Sequence, residues 1–356
     1  MIPVTKTFLP PKTVYQDILR RAWEKGWITN RGELVQELET KIKEFLDSPS
    51  LIAMTNGTLP LQIGIKALGL KGEIITTPFS YVATISCIVW EGCAPVFVDI
   101  DKEHLTIDET KIEESITPKT EAILATHVFG NPCNIDAITT IAQKHNLKVI
   151  YDAAHCFGVQ YNGKSIFHYG DISTCSFHAT KLFQTGEGGA VFCDDSTTLN
   201  KLFYHHNFGH KGKEAFQGLG INAKMSELQA AMGLAVLPYI QKNIRKREEA
   251  VAVYTSHLEN KLDLLKIREG TDWNASYFPI LFKNEVTLLR AVETLNKHNI
   301  YPRRYFYPSL DTLPYIKNMK CPVSRNVASR ILCLPLFESL DLNTVRKICD
   351  LITRSL

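Results

Sequence analysis

The sequence predicts an α/β protein in which a mainly parallel central sheet is covered by helices on both faces and followed by a smaller C-terminal α+β domain. Two observations carry this expectation. Between Leu51 and Cys193, short continuous apolar runs alternate with stretches of helical periodicity, and strands apolar on both faces belong in parallel sheets sandwiched by helices. After Gly220 the texture changes to a long helical run and then to shorter mixed elements. Domains are therefore expected at 1–235 and 236–356, with the long helix as connector.

Taken in order, Val14 to Phe45 carries helical periodicity around a break at Gly26-Trp27. Leu34, Leu38, Ile42 and Phe45 recur at spacings of three and four, so two helices joined by a polar turn, Ile28 to Gly32, fit. Strands are expected at Leu51–Met54, Glu73–Thr76, Pro95–Val98, Ala122–Thr126, Lys148–Tyr151, Ile172–Ser176 and Gly189–Cys193. A helix beginning at Gly57-Thr58 runs through Leu61, Ile65 and Leu68, with Pro60 tolerable in its first turn; others cover Ala83–Trp90 and Ile135–His145. The run from Ser226 to about Leu258 contains Pro238, which has no N–H to donate and should kink or divide it. Ser276–Phe282, a helix Val286–His298 and a last helix Leu342–Ile352 complete the chain as an α+β tail.

The 356 residues are enough for two domains of roughly 150 each, so a large core is available. A formal charge of +3, with 22% charged and 45% hydrophobic residues, excludes a disordered chain, and without a basic run it offers no phosphate-neutralising face for nucleic acid. No stretch reaches the roughly 18–20 apolar residues of a membrane span, and Met1 to Lys6 has no apolar signal core, so a cytoplasmic location is expected. The nine cysteines, odd in number and without a C-x-x-C pair, read as reduced, buried small hydrophobes. His205, His206 and His210 lack a fitting carboxylate partner, and no metal is expected.

Three constellations could carry chemistry. Met54-Thr55-Asn56-Gly57-Thr58 is a strand-to-helix junction whose N–H groups and helix dipole suit a phosphate, although taken alone Thr58 reads first as a simple N-cap. Asp152, followed by Ala153-Ala154-His155, ends an apolar strand where open α/β sheets place ligands, and could hold a cationic ring nitrogen or merely cap the next helix. Lys181 lies between a hydroxyl cluster, Ser173 to Ser176, and the Gly-rich turn Gly186-Glu187-Gly188-Gly189. In an enclosed cleft its amine would lose solvation, drop in pKa and become a nucleophile toward aldehydes; otherwise it is one surface cation among forty basic residues. The order of phosphate cradle, Asp and Lys at successive sheet junctions favours chemistry.

Ser176-Phe177-His178-Ala179-Thr180-Lys181 with Gly186 to Ala190, Asp152 to His155, Thr55 to Thr58 and Asn222 to Ala231 together resemble the DegT/DnrJ/EryC1/StrS family of sugar aminotransferases over essentially the whole chain. The resemblance implies fold type I, pyridoxal 5′-phosphate (PLP) as cofactor, a nucleotide-activated keto-sugar and L-glutamate as substrates, and a homodimer with shared active sites. Ile2 to Pro11 and Arg303 to Pro308 are most similar to enzymes making dTDP-4-amino-4,6-dideoxyglucose.

Carried over by position, the resemblance makes Lys181 the residue that binds the cofactor aldehyde and later moves protons, and Asp152 the partner of the pyridine nitrogen. Ser176, Gly57 and Thr58 would hold the phosphate, Tyr81 would stack on the ring, and His155 would contact its 3-oxygen. Asn222 would reach the phosphate of the neighbouring subunit. For the substrate, Lys211, Lys224, Arg303 and Arg304 are candidate diphosphate donors; Tyr305 and Tyr307 could line the sugar pocket, and Thr29 lies in a turn that could close over it. Besides Pro60, one departure from the family pattern stands beside the lysine. Leu182-Phe183-Gln184 replaces the Asn-Leu-Gly of many relatives and puts the substrate side in question, whereas Lys181 argues against the dehydrating branch that carries His there. The competing expectations are a C3 aminotransferase, a PLP-dependent dehydratase or epimerase, and a non-catalytic regulator that keeps the fold.

Overall fold

A computed structural model describes residues 1–316 and 320–356. Seven strands form the central sheet: β1 (Ser50–Met54), β2 (Glu73–Thr76), β3 (Ala94–Phe97), β4 (Thr120–Thr126), β5 (Lys148–Asp152), β6 (Ile172–Ser176) and β7 (Gly189–Cys193). Their order is β1-β7-β6-β5-β4-β2-β3, with β7 antiparallel to both neighbours and the other pairs parallel. All seven lie where the apolar runs place them, to within one or two residues at an end. Most of their side chains are buried because helices cover both faces, the edge strand β3 being the least covered. One core cluster gathers Leu38, Ile123, Tyr151 and Phe192, the other Ile65, Ile74, Leu124 and Val191.

Register places the chemistry. Asp152 sits beside Thr126 of β4 on one side and Thr174 of β6 on the other, so the carboxyl ends of the central strands are level. The antiparallel return of β7 brings Gly189 opposite both Met54 and Ser176. A Cβ at Gly189 would lie 2.5 Å from the Asn56 carbonyl oxygen and 2.8 Å from that of Cys175, so only glycine lets the three backbones meet.

The helices before the sheet are α1 (Lys12–Lys25) and α2 (Glu33–Leu46), separated by Gly26 in the left-handed conformation. α2 starts at Gly32, which has no side chain to cap it. Buried Glu227 does so from 193 residues away, its Oε2 accepting from the Leu34 N–H at 2.7 Å and its Oε1 from Val35 at 3.2 Å. Glu227 opens the helix Glu227–Val236, whose N-terminus is closed by a capping box between Ser226 and Gln229. Pro238 divides the long run into that helix, a short 3-10 turn at Leu237–Tyr239, and a second helix, Ile240–Leu258.

Beyond Leu258, the strands Asp263–Leu264, Phe278–Leu281 and Ile331–Leu334 form a small antiparallel sheet, and this unit has its own core of Tyr254, Ile280, Leu295 and Ile348. The start of the chain, grouped by sequence with the first domain, is found against this unit: Ile2 and Pro3 pair with Ile300 and Tyr301. Two residues of extended chain give the sequence no period from which that partner could be read. The carboxylate of Asp99 joins the two cores, accepting from the N–H groups of Val323 and Ser324, both at 2.8 Å, at the start of the helix Pro322–Arg330. Among the described residues no helix is long and apolar enough to cross a membrane, and no group of His, Cys, Asp and Glu could hold a metal. His205 and His206 spend their Nδ1 atoms on the Leu219 and Phe203 carbonyls, and His210 lies against Phe216.

Glu227→Ala strands two buried N–H groups of α2 and should lower stability by about 2–3 kcal/mol, checked by denaturant unfolding against the parent chain.

Candidate active site

The carboxyl ends of β1, β5 and β6 open into a cleft of about 360 Å³ between the sheet and the C-terminal unit. Of the residues singled out by sequence, Gly57, Thr58, Tyr81, Asp152, His155, Ser176, Lys181, Arg303 and Tyr305 line it. Five segments far apart in sequence thus converge on one volume.

Lys181 is set by a tight turn after β6. Its own N–H donates to the His178 carbonyl at 2.8 Å, while Phe177 donates to Gly188 and Thr185 to Phe177, closing the loop onto β7. Burial in the cleft holds the Lys181 amine down, to about 8, while the Asp152 charge acts in the opposite direction. Tyr277 lies behind it, with Nζ 5.8 Å from the ring centroid. The segment Leu182-Phe183-Gln184, expected to shape the substrate side, mostly turns inward: Phe183 is fully buried and stacked on Phe157 at 4.3 Å. Gln184 donates to the Phe8 carbonyl at 2.9 Å and accepts from Gly186 at 2.6 Å, tying the chain's start to the lysine turn.

Asp152 is buried at the end of β5. Its Oδ2 accepts from the Thr84 hydroxyl at 2.7 Å and its Oδ1 from the Ala154 N–H at 3.2 Å; it caps no helix. Burial raises its pKa, opposed first by the Thr84 hydrogen bond, then by Ala154 and Lys181. His155 Nδ1 accepts the Phe129 N–H at 3.0 Å, so Nε2 carries the proton of the neutral ring. Burial, reinforced by Lys181, keeps that ring well below its ordinary pKa.

At the junction after β1 the structure corrects the N-cap reading. The Thr58 side chain caps nothing; Asn56 Oδ1 accepts from both Thr58 and Leu59 N–H groups, at 2.9 and 3.0 Å, ahead of α3 (Leu59–Ala67). Those two amides are therefore occupied, and Pro60 has none to give. The hydroxyls of Thr58 and Ser176 remain beside Gly57, where a Cβ would sit 2.7 Å from Ser176 Cβ and close the gap.

The other candidates lie elsewhere. Arg304 turns into the C-terminal unit, where it pairs with Glu285 at 2.6 Å, donates to the Ser329 carbonyl at 3.0 Å and lies over Tyr307. Thr29, Lys211 and Asn222 are exposed, and Lys224 donates to Asn222 at 2.7 Å, outside this chain's own cleft. Sequence reasoning missed Tyr277, Phe306, His178 and Glu187, which also line the cleft. Glu187 stands inside the Gly-rich motif, but Tyr277 sits in Ser276–Phe282, a segment with no motif of its own.

The cleft fits PLP on three counts: a buried carboxylate in want of a cationic partner, an amine able to be neutral, and a hydroxyl-lined gap that glycine keeps open. Together with the seven-stranded order, this defines a fold-type-I PLP-dependent transferase. The match to known proteins extends over nearly the whole length: residues 13–353 fit the DegT/DnrJ/EryC1/StrS aminotransferase family. Two proteins called dTDP-4-amino-4,6-dideoxy-D-glucose transaminase are similar, one from Shigella dysenteriae at 42% identity (95% of this chain, 94% of that protein) and one from Escherichia coli at 38% (99% and 98%). The crystal structure of DesI in the presence of its TDP-sugar product superposes with a TM-score of 0.94 at 30% identity, covering 99% of this chain and 93% of that one. The chain belongs to the DegT/DnrJ/EryC1/StrS aminotransferase family, a family of PLP-dependent nucleotide-sugar transaminases.

In cofactor-free protein, acylation of Lys181 should titrate with a midpoint near pH 8, read by peptide mass spectrometry, against about 10.4 for solvent-exposed lysines. Because the Asp152 charge supports the ammonium form, Asp152→Asn should move that midpoint lower.

Proposed function

We propose that this enzyme transfers the amino group of L-glutamate to the C4 keto group of a dTDP-4-keto-6-deoxyhexose, namely dTDP-4-keto-6-deoxyglucose, for the building of surface polysaccharide in the cytoplasm. The single observation that carries the chemistry is Lys181 and Asp152 in one cleft, the first poised near neutrality and the second buried. The similarity to the two dTDP-4-amino-4,6-dideoxy-D-glucose transaminases supports the choice of acceptor and of C4.

When bound, PLP supplies the electron sink that makes transamination possible. Asp152 would hold the ring nitrogen protonated, each pKa unit of that bias being worth about 1.4 kcal/mol. The Thr58 and Ser176 hydroxyls and the Gly57 amide would hold the phosphate, Tyr81 would cover the ring face, and the His155 Nε2–H would donate to the 3-oxygen. Lys181, freed by the donor amine, would take the proton from the donor Cα and in the return half deliver one to the sugar C4. An amine of pKa about 8 suits both duties, since it is partly neutral and partly protonated at working pH. Arg303, with its guanidinium 4.7 Å from the Tyr305 ring centroid, is the diphosphate donor the cleft itself offers.

A homodimer belongs to the same reading. Phe208, Phe216, Leu219 and Ile221 are 47%, 67%, 68% and 44% exposed on the excursion that carries Lys211, Asn222 and Lys224, an apolar face suited to a second copy. Those three residues, and Thr29, would then serve the neighbouring cleft.

Purified enzyme given L-glutamate and dTDP-4-keto-6-deoxyglucose should release one 2-oxoglutarate per amino sugar, with the amine at C4 by NMR, and Lys181→Ala should abolish turnover; amination at C3, or product without 2-oxoglutarate, would refute the assignment. Sedimentation should give twice the chain mass, and Phe216→Asp with Leu219→Asp should shift it toward the monomer.

A further inference from the structure

Asp152 is held from behind by hydroxyl groups drawn from three segments. Thr84 of α4 (Val82–Trp90) lies 2.7 Å from Asp152 Oδ2; Ser80, just before that helix, lies 2.7 Å from Thr84; and Thr126, at the end of β4, lies 3.0 Å from Ser80. All four residues are buried. Each hydroxyl has one hydrogen to give. An ionised Asp152 can only accept, so Thr84 must donate to it; Ser80 must then donate to Thr84, and Thr126 to Ser80. The donor order is fixed by counting hydrogens, and every O–H dipole in the row points toward the carboxylate. Successive bonds of this kind polarise one another and favour the charged acceptor.

We propose that Thr84, backed by Ser80 and Thr126, is a positioning residue whose aligned hydroxyl row keeps Asp152 oriented and ionised for the cofactor's ring nitrogen. This rests on the reading that Asp152 meets that nitrogen. The row matters because, apart from the Ala154 N–H on Oδ1 and the Lys181 amine, the site is hostile to the charge. Burial opposes it, and the thiols of Cys87, Cys156 and Cys175, which are coupled to Asp152, are held protonated by their own burial and give no cation. His155 is neutral, so Lys181 is the cation that bears on Asp152, whereas Thr84 and Ser80 support it through hydrogen bonds without any charge of their own.

The test is PLP affinity of the purified protein, followed by fluorescence and by absorbance of the bound cofactor as a function of pH. Thr84→Val removes the donor at nearly constant shape. It should weaken PLP binding about tenfold and move the acid limb of the affinity profile up by about one pH unit, whereas Thr84→Ser should restore both. Ser80→Ala should move the limb in the same direction by less, and should add nothing in the Thr84→Val background, because the row is already broken there. An unshifted acid limb in Thr84→Val while Asp152→Asn loses PLP overturns the row alone; PLP binding unchanged in Asp152→Asn overturns the row together with the reading of Asp152. Should Thr84→Val fail to fold, Ser80→Ala decides by itself, and an unshifted limb overturns the proposal.

Discussion

The structure turns on keeping one carboxylate charged inside a low-dielectric layer. Asp152 follows the buried run Val149-Ile150-Tyr151 at the end of its strand, and burial works against its ionisation. What offsets that cost is local: a Thr84 hydroxyl, an Ala154 amide and the Lys181 amine on the next strand's turn. The same low dielectric that burdens Asp152 depresses Lys181, so the two groups set each other's protonation, and neither would have its character at the surface. A fully apolar core would be simpler to stabilise and chemically inert.

Around that pair the walls are held by polar contacts that reach across the chain. Glu227 caps α2 and Asp99 caps a helix of the C-terminal unit, each carboxylate satisfying orphan N–H groups that local sequence leaves open. Asn274 extends the pattern, donating to the His155 and Phe157 carbonyls at 2.9 Å from the C-terminal side. Through it the loop that carries His155 is fastened to the unit that supplies Tyr277 and Arg303. The cleft has two sides of separate origin in the chain and one mechanical frame.

Much of this was legible beforehand. Continuous apolar runs located the seven strands because a parallel sheet buries both faces, and Pro238 marked the division of the long helix because it cannot donate to the preceding turn. Asp152 and Lys181 stood out because carboxyl ends of parallel strands are where such sheets bind ligands. Thr58 misled as an N-cap because Asn56, two residues earlier, reaches the same amides with a better-placed oxygen. Arg304 misled because two adjacent arginines look alike in sequence, and only packing shows that one faces the cleft and the other faces Glu285.

Sequence by itself determined the layered architecture, the order of the strands' chemistry and the identity of the amine and the carboxylate, since these follow from short-range periodicity and from motifs whose residues are neighbours in the chain. Tertiary structure alone decided which distant groups meet. It set Glu227 on α2, Ile2 and Pro3 beside Ile300 and Tyr301, Tyr277 behind Lys181, and Thr126 in register with Asp152 so that Ser80 and Thr84 complete a row between them. Hydrogen bonds and ring contacts act over a few ångströms and carry no period along the chain, so nothing in the linear order announces them.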